Sequence, residues 1–330
     1  MAPLRLSIVV PTHNTRELAL ACLQSLTGGS SLQNEVLVVD DGSADGTAEA
    51  VAGRFPEARV LRHDRATGFS AAANRGAAAA GGEVILFLNS DTEVETDALL
   101  ALISAFEGDA GLGIAGAALR FPDGRPQWSA GPEPSALWLF SLASGLPAHL
   151  RRLPGYDVLR RFFGGVPTRG GGSGPVPVDW VTGAALAVRR QVWSDCGPFD
   201  ESVLFYCQDL DLCTAAREAG WKVGLIPTFR VMHHHGATIA PGASRMFQGE
   251  RNIGAGQDAE RLWSDLVAWT AKRKGQKKAR RARWALTWGG RLRLAFRTLA
   301  RPFVADERHT TFQAETIALR QALTKLSSLA

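Results

Sequence analysis

The sequence predicts an α/β fold in which helices flank a mostly parallel β-sheet. Two observations support this prediction. Short apolar runs alternate with amphipathic helical segments in the first 120 residues, and most runs end abruptly in small polar side chains. Helical crossovers connect parallel strands in one direction, so the polar ends are expected to meet along a single edge of the sheet. Open α/β sheets bind their ligands at this edge.

The elements of the first 90 residues follow this alternation. Strands are predicted at 6–10, 35–39, 59–61 and 83–88, and helices at 16–26, 47–54 and 70–80. The strands are rich in Val, Ile and Leu, whereas the apolar residues of the first helix recur every three or four positions. Pro11 is expected to close the first strand.

The rest of the chain alternates less regularly. Further elements are predicted at 97–106, 113–119, 180–188, 209–219, 222–226 and 229–233. Between them, residues 121–178 are rich in Pro and Gly, which predicts long surface loops with a helix or two.

Three groups of polar residues lie at predicted strand ends: Thr12 to Asn14, Asp40 to Ser43, and Asn89 to Asp91. Their convergence predicts a crevice of nucleotide size. Because Asp91 lies at the carboxyl end of a buried strand, its carboxylate could hold a divalent cation, and the cation a diphosphate. The alternative is that Ser90 and Asp91 form a turn that caps the next helix.

Basic residues concentrate near the C-terminus. The chain carries 37 Lys and Arg against 32 Asp and Glu, but residues 271–330 alone hold 15 basic and 3 acidic residues. With Trp284, Trp288 and Phe296 among them, this predicted helical extension suits an anionic membrane surface. It could equally pack on the body of the protein or pair two subunits. Nucleic-acid binding is not expected, because the rest of the chain is acidic.

Composition also bounds the class of protein. The four cysteines lack the spacing of a metal site, no signal peptide is apparent, and no apolar run reaches 18 residues. We therefore expect reduced thiols, a cytoplasmic location and no membrane-spanning helix. No Walker-type phosphate loop is present, and no Gly-x-Gly-x-x-Gly follows the first strand, which argues against an NAD enzyme.

Several short segments, in their order and spacing, resemble those of a known family. The chain has SIVVPTHN at 7–14, VVDDGSADGT at 38–47, TGFSAAANRG at 67–76 and NSD at 89–91. It continues with VTGA at 181–184, GPFDE at 197–201, QDLDL at 208–212 and AGW at 219–221. Over roughly residues 5–240, this pattern is similar to that of family 2 glycosyltransferases and of their rhamnosyltransferase-like branch.

The resemblance implies a GT-A fold, with a Rossmann-like, mostly parallel sheet. It implies a catalytic domain at 1–240, divided into a nucleotide-sugar half (1–120) and an acceptor half (121–240), and a basic helical extension at 241–330. The implied activity is inverting transfer of a sugar, from dTDP-rhamnose or a UDP-hexose, to a glycan or lipid-linked acceptor in cell-surface polysaccharide synthesis. Mn²⁺ or Mg²⁺ is the implied cofactor, because a departing diphosphate needs a cation.

The resemblance also assigns a metal site. Asn89-Ser90-Asp91 takes the place of the family's Asp-x-Asp motif, with Asn89 instead of the first Asp, so Asp91 is the expected metal ligand. His233 resembles the histidine that completes such sites. His233 and His235 would share one face of a strand, and His234 would point away. The alternative for the three histidines is a polar strand end.

Asp209 matches the inferred catalytic base of inverting members, with Gln208 in place of the usual Glu. A base is required because the acceptor hydroxyl must lose its proton. The start of a helix is expected to keep this carboxylate ionised and aimed into the cleft, within reach of solvent in the same pocket as Asp91. The alternative is that Asp209 only caps the helix. Asp211 is expected to support the helix start.

The remaining site residues follow by resemblance. Those expected to contact the nucleotide are Pro11, Thr12, Asn14, Asp41, Gly68, Asn74, Asn89 and Ser90. Those expected near the donor sugar and the acceptor are Trp180, Gly183, Asp200 and Gln208. Two of these have structural alternatives, Asn74 as a buried helix amide and Trp180 as core packing.

Two other functions remain open. A nucleotidyltransferase also uses an α/β sheet and a carboxylate-held metal, but its first strand is usually followed by a Gly-rich basic loop, and here Thr12 to Thr15 follow it. The substitutions Asn89 and Gln208 favour a second alternative, a nucleotide-sugar-binding module that has lost catalysis.

Overall fold

The structure is a computed structural model that describes residues 5–27, 34–146, 174–202, 206–234, 259–303 and 306–329. These residues form two compact units. The first contains the sheet and the candidate site residues, and the second consists of helices. The described part of the predicted loop region 121–178 is divided between them, and residues 147–173 lie outside the described residues.

The first unit alternates strands and helices as predicted. Its strands are β1 (Leu6–Thr12), β2 (Asn34–Asp40), β3 (Arg59–Arg62), β4 (Val84–Leu88), β5 (Thr92–Val94), β6 (Leu112–Arg120), β7 (Ala130–Gly131), β8 (Val176–Pro177), β9 (Trp180–Val181), β10 (Ala185–Arg189) and β11 (Lys222–His233). Its helices are α1 (Arg16–Leu26), α2 (Thr47–Arg54), α3 (Phe69–Ala79), α4 (Ala98–Gly108), α6 (Arg190–Cys196) and α7 (Gln208–Glu218). The second unit contains α5 (Ala136–Ser144), α8 (Ala259–Lys274), α9 (Gln276–Ala300) and α10 (Asp306–Ser328).

Within the described residues, nine strands form one sheet whose main order is β3-β2-β1-β4-β10-β6-β11-β5, with β8 paired to β11. The pairs among β1 to β4 and the pair β6–β11 are parallel, whereas β10 and β5 run antiparallel to their neighbours. The predicted α/β fold with a mostly parallel sheet is therefore confirmed. Strands buried on both faces need continuous apolar runs, and every residue of β1 and β4 is buried.

The register of the strands brings the predicted polar ends together. Thr12, the last residue of β1, pairs with Asp40, the last residue of β2. Val9 pairs with Phe87 of β4, so the residues that follow both strands emerge at the same edge. The carboxyl edge of the parallel strands therefore carries all three polar groups.

The strands differ from the sequence prediction at several points, and the element predicted at 180–188 divides into β9 and β10. β1 continues through Pro11, because β1 pairs with β4 only as far as Val9 and the missing N–H breaks no bond to that strand. The two predicted strands near the end of the first unit form one, β11, with an irregularity between Ile226 and Arg230. β5, which sequence analysis missed, is three residues long and pairs with β11 at the far edge of the sheet.

The second unit is helical, and α9 is its longest helix. Gly275 separates α8 from α9 with a φ of 84°, a conformation that side chains disfavour. Among the described residues, no helix has both the length and the apolar character needed to cross a bilayer.

Gly76 provides a test of how tightly α3 packs on the sheet. A Cβ at this position would lie 3.0 Å from a Val39 methyl group and closer still to Val9. We expect Gly76→Ala to destabilise the protein by about 1–3 kcal/mol, because overpacking displaces its neighbours. The helical Gly53 has open space around it, so Gly53→Ala is the matched control and should be stabilising by about 0.5–1 kcal/mol. Urea unfolding measures both; equal effects would contradict the packing.

Candidate active site

The loop between β4 and β5 is tied to the start of β10. The Asn89 backbone N–H donates to the Ala184 carbonyl at 3.0 Å, and the Asn89 carbonyl accepts the Thr92 hydroxyl at 2.6 Å. These bonds fix the direction in which the chain leaves β4. Asp91 therefore has a defined position at the sheet edge.

A chain of hydroxyl groups connects this loop to the loop after β1. The Thr12 and Thr15 hydroxyls lie 2.7 Å apart, and the Thr15 hydroxyl lies 3.0 Å from the Ser90 hydroxyl. All three residues are buried. The side chains of Thr12 and Ser90, predicted to contact the nucleotide, thus hold the two loops together; Pro11 is buried in β1.

Asp91 lies beside His233. β5 pairs with β11 so that Thr92 is opposite His233, and this register places the His233 Nε2 atom 3.3 Å from the Asp91 Oδ1 atom. The other side of the His233 ring is fixed, because Nδ1 lies 2.9 Å from the Gln127 Oε1 atom and the Gln127 amide donates to the His233 carbonyl. The predicted association of Asp91 with His233 thus has a structural basis.

The other two histidines differ. His234 turns towards Glu93, with 2.8 Å between Nε2 and Oε1, while its backbone N–H donates to the Asp91 carbonyl at 2.9 Å. His235 lies outside the described residues.

Asp91 differs from expectation in its accessibility. Asp91 is only 1% exposed, and both of its carboxylate oxygens are shielded from solvent. The sequence, by contrast, predicts that the carboxylate lies in an open pocket. Cation binding at Asp91 therefore requires the covering atoms to move.

Asp209 lies in the first turn of α7, as predicted. Its Oδ2 atom accepts the Gly183 backbone N–H at 2.8 Å, and its Oδ1 atom accepts the Leu210 backbone N–H at 2.7 Å. Despite these two bonds, loss of hydration in its crowded position raises the pKa of the carboxyl above the usual aspartate value. The direction of this shift is opposite to the expectation that the helix start keeps the carboxylate ionised.

Gly183 and Ala184 connect Asp209 to the loop that carries Asp91. The Gly183 N–H binds Asp209, and the next residue, Ala184, accepts the bond from the Asn89 N–H. Asp209 is thus joined to the Asn89–Asp91 loop through two successive residues at one sheet edge. Gln208, the first residue of α7, precedes Asp209 directly, and Asp211 shares the same turn.

The raised pKa of Asp209 predicts the pH dependence of activity. If the ionised carboxylate accepts a proton, kcat/KM falls as the pH drops through the raised pKa. The acid limb should therefore lie above the ordinary aspartate pKa of about 3.9. A pH–rate profile tests this; an acid limb at or below the ordinary value would contradict it.

The same shift has a consequence for stability that needs no substrate. The folded protein holds the Asp209 proton more tightly than the unfolded chain does, so the protonated carboxyl stabilises the fold. This stabilisation is lost as the pH rises through the pKa of the folded state. The unfolding free energy of the wild type minus that of Asp209→Asn should therefore decrease with rising pH. Urea unfolding at a series of pH values measures the difference, which should stay constant if the pKa is ordinary.

The loop after β2 is anchored through Asp41. Its carboxylate accepts the N–H groups of Thr67 and Gly68 at 2.8 Å each, and lies 2.8 Å from the His63 Nδ1 atom. Although burial acts in the opposite direction, these hydrogen bonds lower the pKa of Asp41. The carboxylate therefore joins the loop after β2 to the start of α3, in addition to its predicted role towards the nucleotide.

Asn14 joins the loops after β1 and β2. Its backbone N–H donates to the Ser43 hydroxyl at 2.9 Å, and its side-chain carbonyl accepts the Ala44 N–H at 2.8 Å. It has a φ of 51°, in the left-handed region that Asn tolerates better than most residues. Its side chain therefore stabilises the two loops that border the predicted nucleotide crevice.

Asn74 has a role that sequence analysis did not anticipate. Its amide nitrogen donates to the Phe199 carbonyl and to Glu201 at 2.9 Å each, and its amide oxygen accepts the Phe199 N–H at 3.0 Å. It thus holds the loop that contains Asp200, whose carboxylate accepts the Ser202 hydroxyl. The predicted contact of Asn74 with the nucleotide stays a prediction.

Trp180 combines core packing with an aromatic contact. It is buried, and its ring meets that of Trp128 edge to face, with 4.8 Å between centroids. Trp128 and the histidine-binding Gln127 escaped sequence analysis, because both lie in the Pro- and Gly-rich region, where no periodic pattern points to particular residues.

Comparison with known proteins identifies the family. Residues 7–172 match the profile of the family described as Glycosyl transferase family 2. A Mycobacterium tuberculosis protein, N-acetylglucosaminyl-diphospho-decaprenol L-rhamnosyltransferase, is 30% identical over 244 residues, which cover 69% of this chain and 76% of the relative. The chain belongs to glycosyltransferase family 2.

The rhamnosyltransferase-like branch is supported by the same relative. The present chain is also 25% identical to the O-antigen biosynthesis protein RfbC of Myxococcus xanthus. This alignment of 243 residues covers 71% of the chain but only 18% of RfbC. The glycosyltransferase activity predicted from the sequence motifs is thus confirmed at the level of the family.

Solved structures confirm the glycosyltransferase fold. The mannosyltransferase PcManGT from Pyrobaculum calidifontis, in complex with GDP-Man and Mn²⁺, aligns with a TM-score of 0.59 at 18% identity and covers 99% of this chain and 88% of its own. GalNAc-T7 with UDP, GalNAc and Mn²⁺ aligns with a TM-score of 0.53 at 17% identity, over 70% of this chain and 44% of that one.

The glycosyltransferase has donor atoms that suit a divalent cation. Asp91 contributes a carboxylate and His233 an imidazole nitrogen, both buried and 3.3 Å apart. No cluster of three His, Cys, Asp or Glu side chains suited to a metal occurs in the part of the chain that the structure describes. Two protein ligands still fit a cation that takes its other ligands from substrate phosphates and water.

Proposed function

We propose that this protein is an inverting glycosyltransferase that moves a sugar from a nucleotide-sugar donor to a lipid-linked or glycan acceptor in cell-surface polysaccharide synthesis. One observation carries the proposal: Gly183 and Ala184 join Asp209 to the loop that holds Asp91, at the carboxyl edge of the sheet. A base and a metal-binding carboxylate at one edge are what transfer from a nucleoside diphosphate requires.

Asp209 acts as the base. The acceptor hydroxyl oxygen attacks the anomeric carbon of the donor sugar, its proton passes to the Asp209 carboxylate, and the bond from that carbon to the diphosphate oxygen breaks. The raised pKa makes this carboxylate a stronger proton acceptor than an ordinary aspartate. The Gly183 and Leu210 N–H groups fix the direction of its oxygens.

Asp91 and His233 would hold Mn²⁺ or Mg²⁺, with Asn89 and Ser90 shaping the loop. When bound, the cation would offset the negative charge that develops on the departing diphosphate. Gln127 orients His233 through its contact with Nδ1, as residues that hydrogen-bond to a metal-binding histidine commonly do. Both aligned structures contain Mn²⁺, which supports this assignment.

The loops after β1 and β2 form the nucleotide side of the site, within the proposed donor half at 1–120. Asn14 and Asp41 hold these loops in place, and Gly68 allows close approach of backbone at the start of α3. Trp180 and Asp200 lie in the proposed acceptor half, at 121–240. In this proposal the catalytic domain spans residues 1–240, and a basic helical extension follows at 241–330.

The relatives support a proposal for the donor and the acceptor. The name of the Mycobacterium tuberculosis relative specifies rhamnosyl transfer to a lipid-linked diphosphate sugar, which favours dTDP-rhamnose as donor, a UDP-hexose being the second choice. A lipid-linked acceptor places the reaction at a membrane surface, and we assign this protein to the cytoplasm, at the inner face of the plasma membrane.

One incubation tests the proposal. The protein is mixed with Mn²⁺, acceptor extract and a panel of nucleotide sugars, and free nucleoside diphosphate is measured. Acceptor-dependent release that is lost in Asp209→Asn supports transfer. Pyrophosphate release from a nucleoside triphosphate would instead identify a nucleotidyltransferase. Donor binding without turnover would identify a binding module, which the substitutions Asn89 and Gln208 favour.

A further inference from the structure

The second unit has a helix whose large aromatic residues face outward. The buried side of α9 consists mainly of small residues: Ala279, Ala282, Ala285, Leu286, Gly289, Gly290 and Arg293. Trp284 and Trp288, by contrast, are 62% and 48% exposed. A helix stabilised by burial alone would place these rings inward.

Close packing explains why the small residues lie inside. A Cβ on Gly289 would lie 2.6 Å from the Phe140 carbonyl oxygen, and one on Gly290 would lie 2.9 Å from the Trp263 ring. No bulky side chain fits between α9 and its neighbours at these positions. The outward tryptophans are therefore compatible with a well-packed helix and are free to serve another purpose.

The exposed side of α9 also carries arginines around a cavity. Arg280, Arg283 and Arg291 line a cavity of about 380 Å³ together with both tryptophans. Thr287 of α9 and Leu323, Leu326 and Ser327 of α10 complete the lining. Arg283 is anchored, since its guanidinium donates to the Leu329 carbonyl, and the Arg291 guanidinium lies 5.2 Å from the Trp288 ring centroid.

We find no ion pair to Arg280, Arg283 or Arg291 among the residues that the structure describes. Guanidinium groups bind phosphate oxygens through paired hydrogen bonds, and tryptophan favours the interface between water and lipid. Leu299, 72% exposed, extends the apolar stripe along the same helical face.

We propose that this cavity binds the phosphate headgroup of an anionic membrane lipid, with Trp284, Trp288 and Leu299 inserted at the interface. An apolar stripe flanked by Arg and Lys is the pattern of helices that lie on anionic bilayers. A single-stranded nucleic acid would also stack on the tryptophans, but it gives no reason for an exposed leucine beside them. The proposal does not depend on the sugar that the catalytic unit transfers.

Vesicle binding tests the proposal on the full chain. Vesicles of phosphatidylglycerol and phosphatidylcholine at 30:70 are compared with phosphatidylcholine alone, by co-sedimentation. Arg280→Gln with Arg291→Gln should lower the partition coefficient on the anionic vesicles by about 25-fold, since each basic residue near the surface contributes roughly fivefold. Both side chains are exposed, so an unchanged melting temperature should verify folding.

A matched variant separates the cavity from general charge. Lys278→Gln with Lys325→Gln removes the same charge from exposed positions of the second unit that do not line the cavity. Its binding should fall by less than about fivefold, since these side chains do not line the cavity. Trp284→Ala with Trp288→Ala should remove the binding that persists in 0.5 M salt, because that part is hydrophobic.

Four outcomes would overturn the proposal. Equal effects of the Arg and Lys pairs would reject the cavity, and equal binding to both vesicle types would reject anionic recognition. Saturable binding of free pyrophosphate without vesicle binding would point to a soluble anion, and Arg-dependent binding of an RNA oligonucleotide without vesicle binding to nucleic acid. Nucleoside diphosphate release with a water-soluble acceptor, measured in parallel, shows separately whether catalysis is intact.

Discussion

Asp209→Asn is expected to lower acceptor-dependent turnover by about 10²–10⁴-fold, the range that a general base contributes. The amide is nearly isosteric with the carboxylate but cannot take the proton of the acceptor hydroxyl. It can still accept the Leu210 N–H, so the start of α7 should keep its place. Nucleoside diphosphate release at saturating donor and acceptor measures the loss, and the thermal melting temperature verifies the fold.

Asp211→Asn is the matched control for the base. Asp211 belongs to the same helical turn and carries the same charge. A loss below about tenfold is expected there, because a helix-start carboxylate contributes only about 0.3–1 kcal/mol. Comparable losses in the two variants, or an Asp209→Asn enzyme of normal rate, would remove Asp209 from the role of base.

Asp91→Asn is expected to lower turnover by about 100-fold or more, since a bound cation contributes several kcal/mol to stabilising the transition state. The amide keeps the shape of the side chain, but neutralises the group beside His233 and weakens cation binding. The Mn²⁺ concentration that gives half-maximal activity should rise as well. A chelator should abolish wild-type activity, and added Mn²⁺ should restore it.

Glu93→Gln provides the control for Asp91. Glu93 lies two residues further on, where its carboxylate contacts His234 instead of His233. This variant should keep both its Mn²⁺ requirement and its rate, within a few fold. The burial of Asp91 makes this comparison informative, because a purely structural carboxylate would alter stability while leaving the Mn²⁺ requirement unchanged.

The sheet could be predicted from the sequence because its strands are buried on both faces. β1 and β4 need unbroken apolar runs, and the pattern located both strands to within two residues. β5 could not be found, since three residues have no measurable period. The prediction that Pro11 ends β1 was wrong. The missing N–H of Pro11 breaks no bond to β4, because β1 pairs with β4 only as far as Val9, and the sequence alone does not show where this pairing ends.

Site residues that belong to a sequence motif could be predicted. Residues that reach the site only through contacts between distant parts of the chain could not. The motifs pointed to Asp91 and Asp209, and the sheet brings the segments that hold them to one edge. Gln127 lies 106 residues from His233 in sequence, and no local pattern shows that the two meet. The burial of Asp91 was likewise hidden, because it depends on contacts in the folded chain that no local sequence pattern shows.

Separating binding from turnover tests the central claim most directly. The melting temperature is measured with Mn²⁺ and nucleoside diphosphate, whose binding at a hundred times Kd contributes about 2.7 kcal/mol. The wild type and Asp209→Asn should both be stabilised and Asp91→Asn should not, while only the wild type releases diphosphate in the presence of acceptor. Stabilisation of Asp91→Asn equal to that of the wild type, with normal turnover, would contradict the assignment of a cation-binding carboxylate and a base to this edge of the sheet.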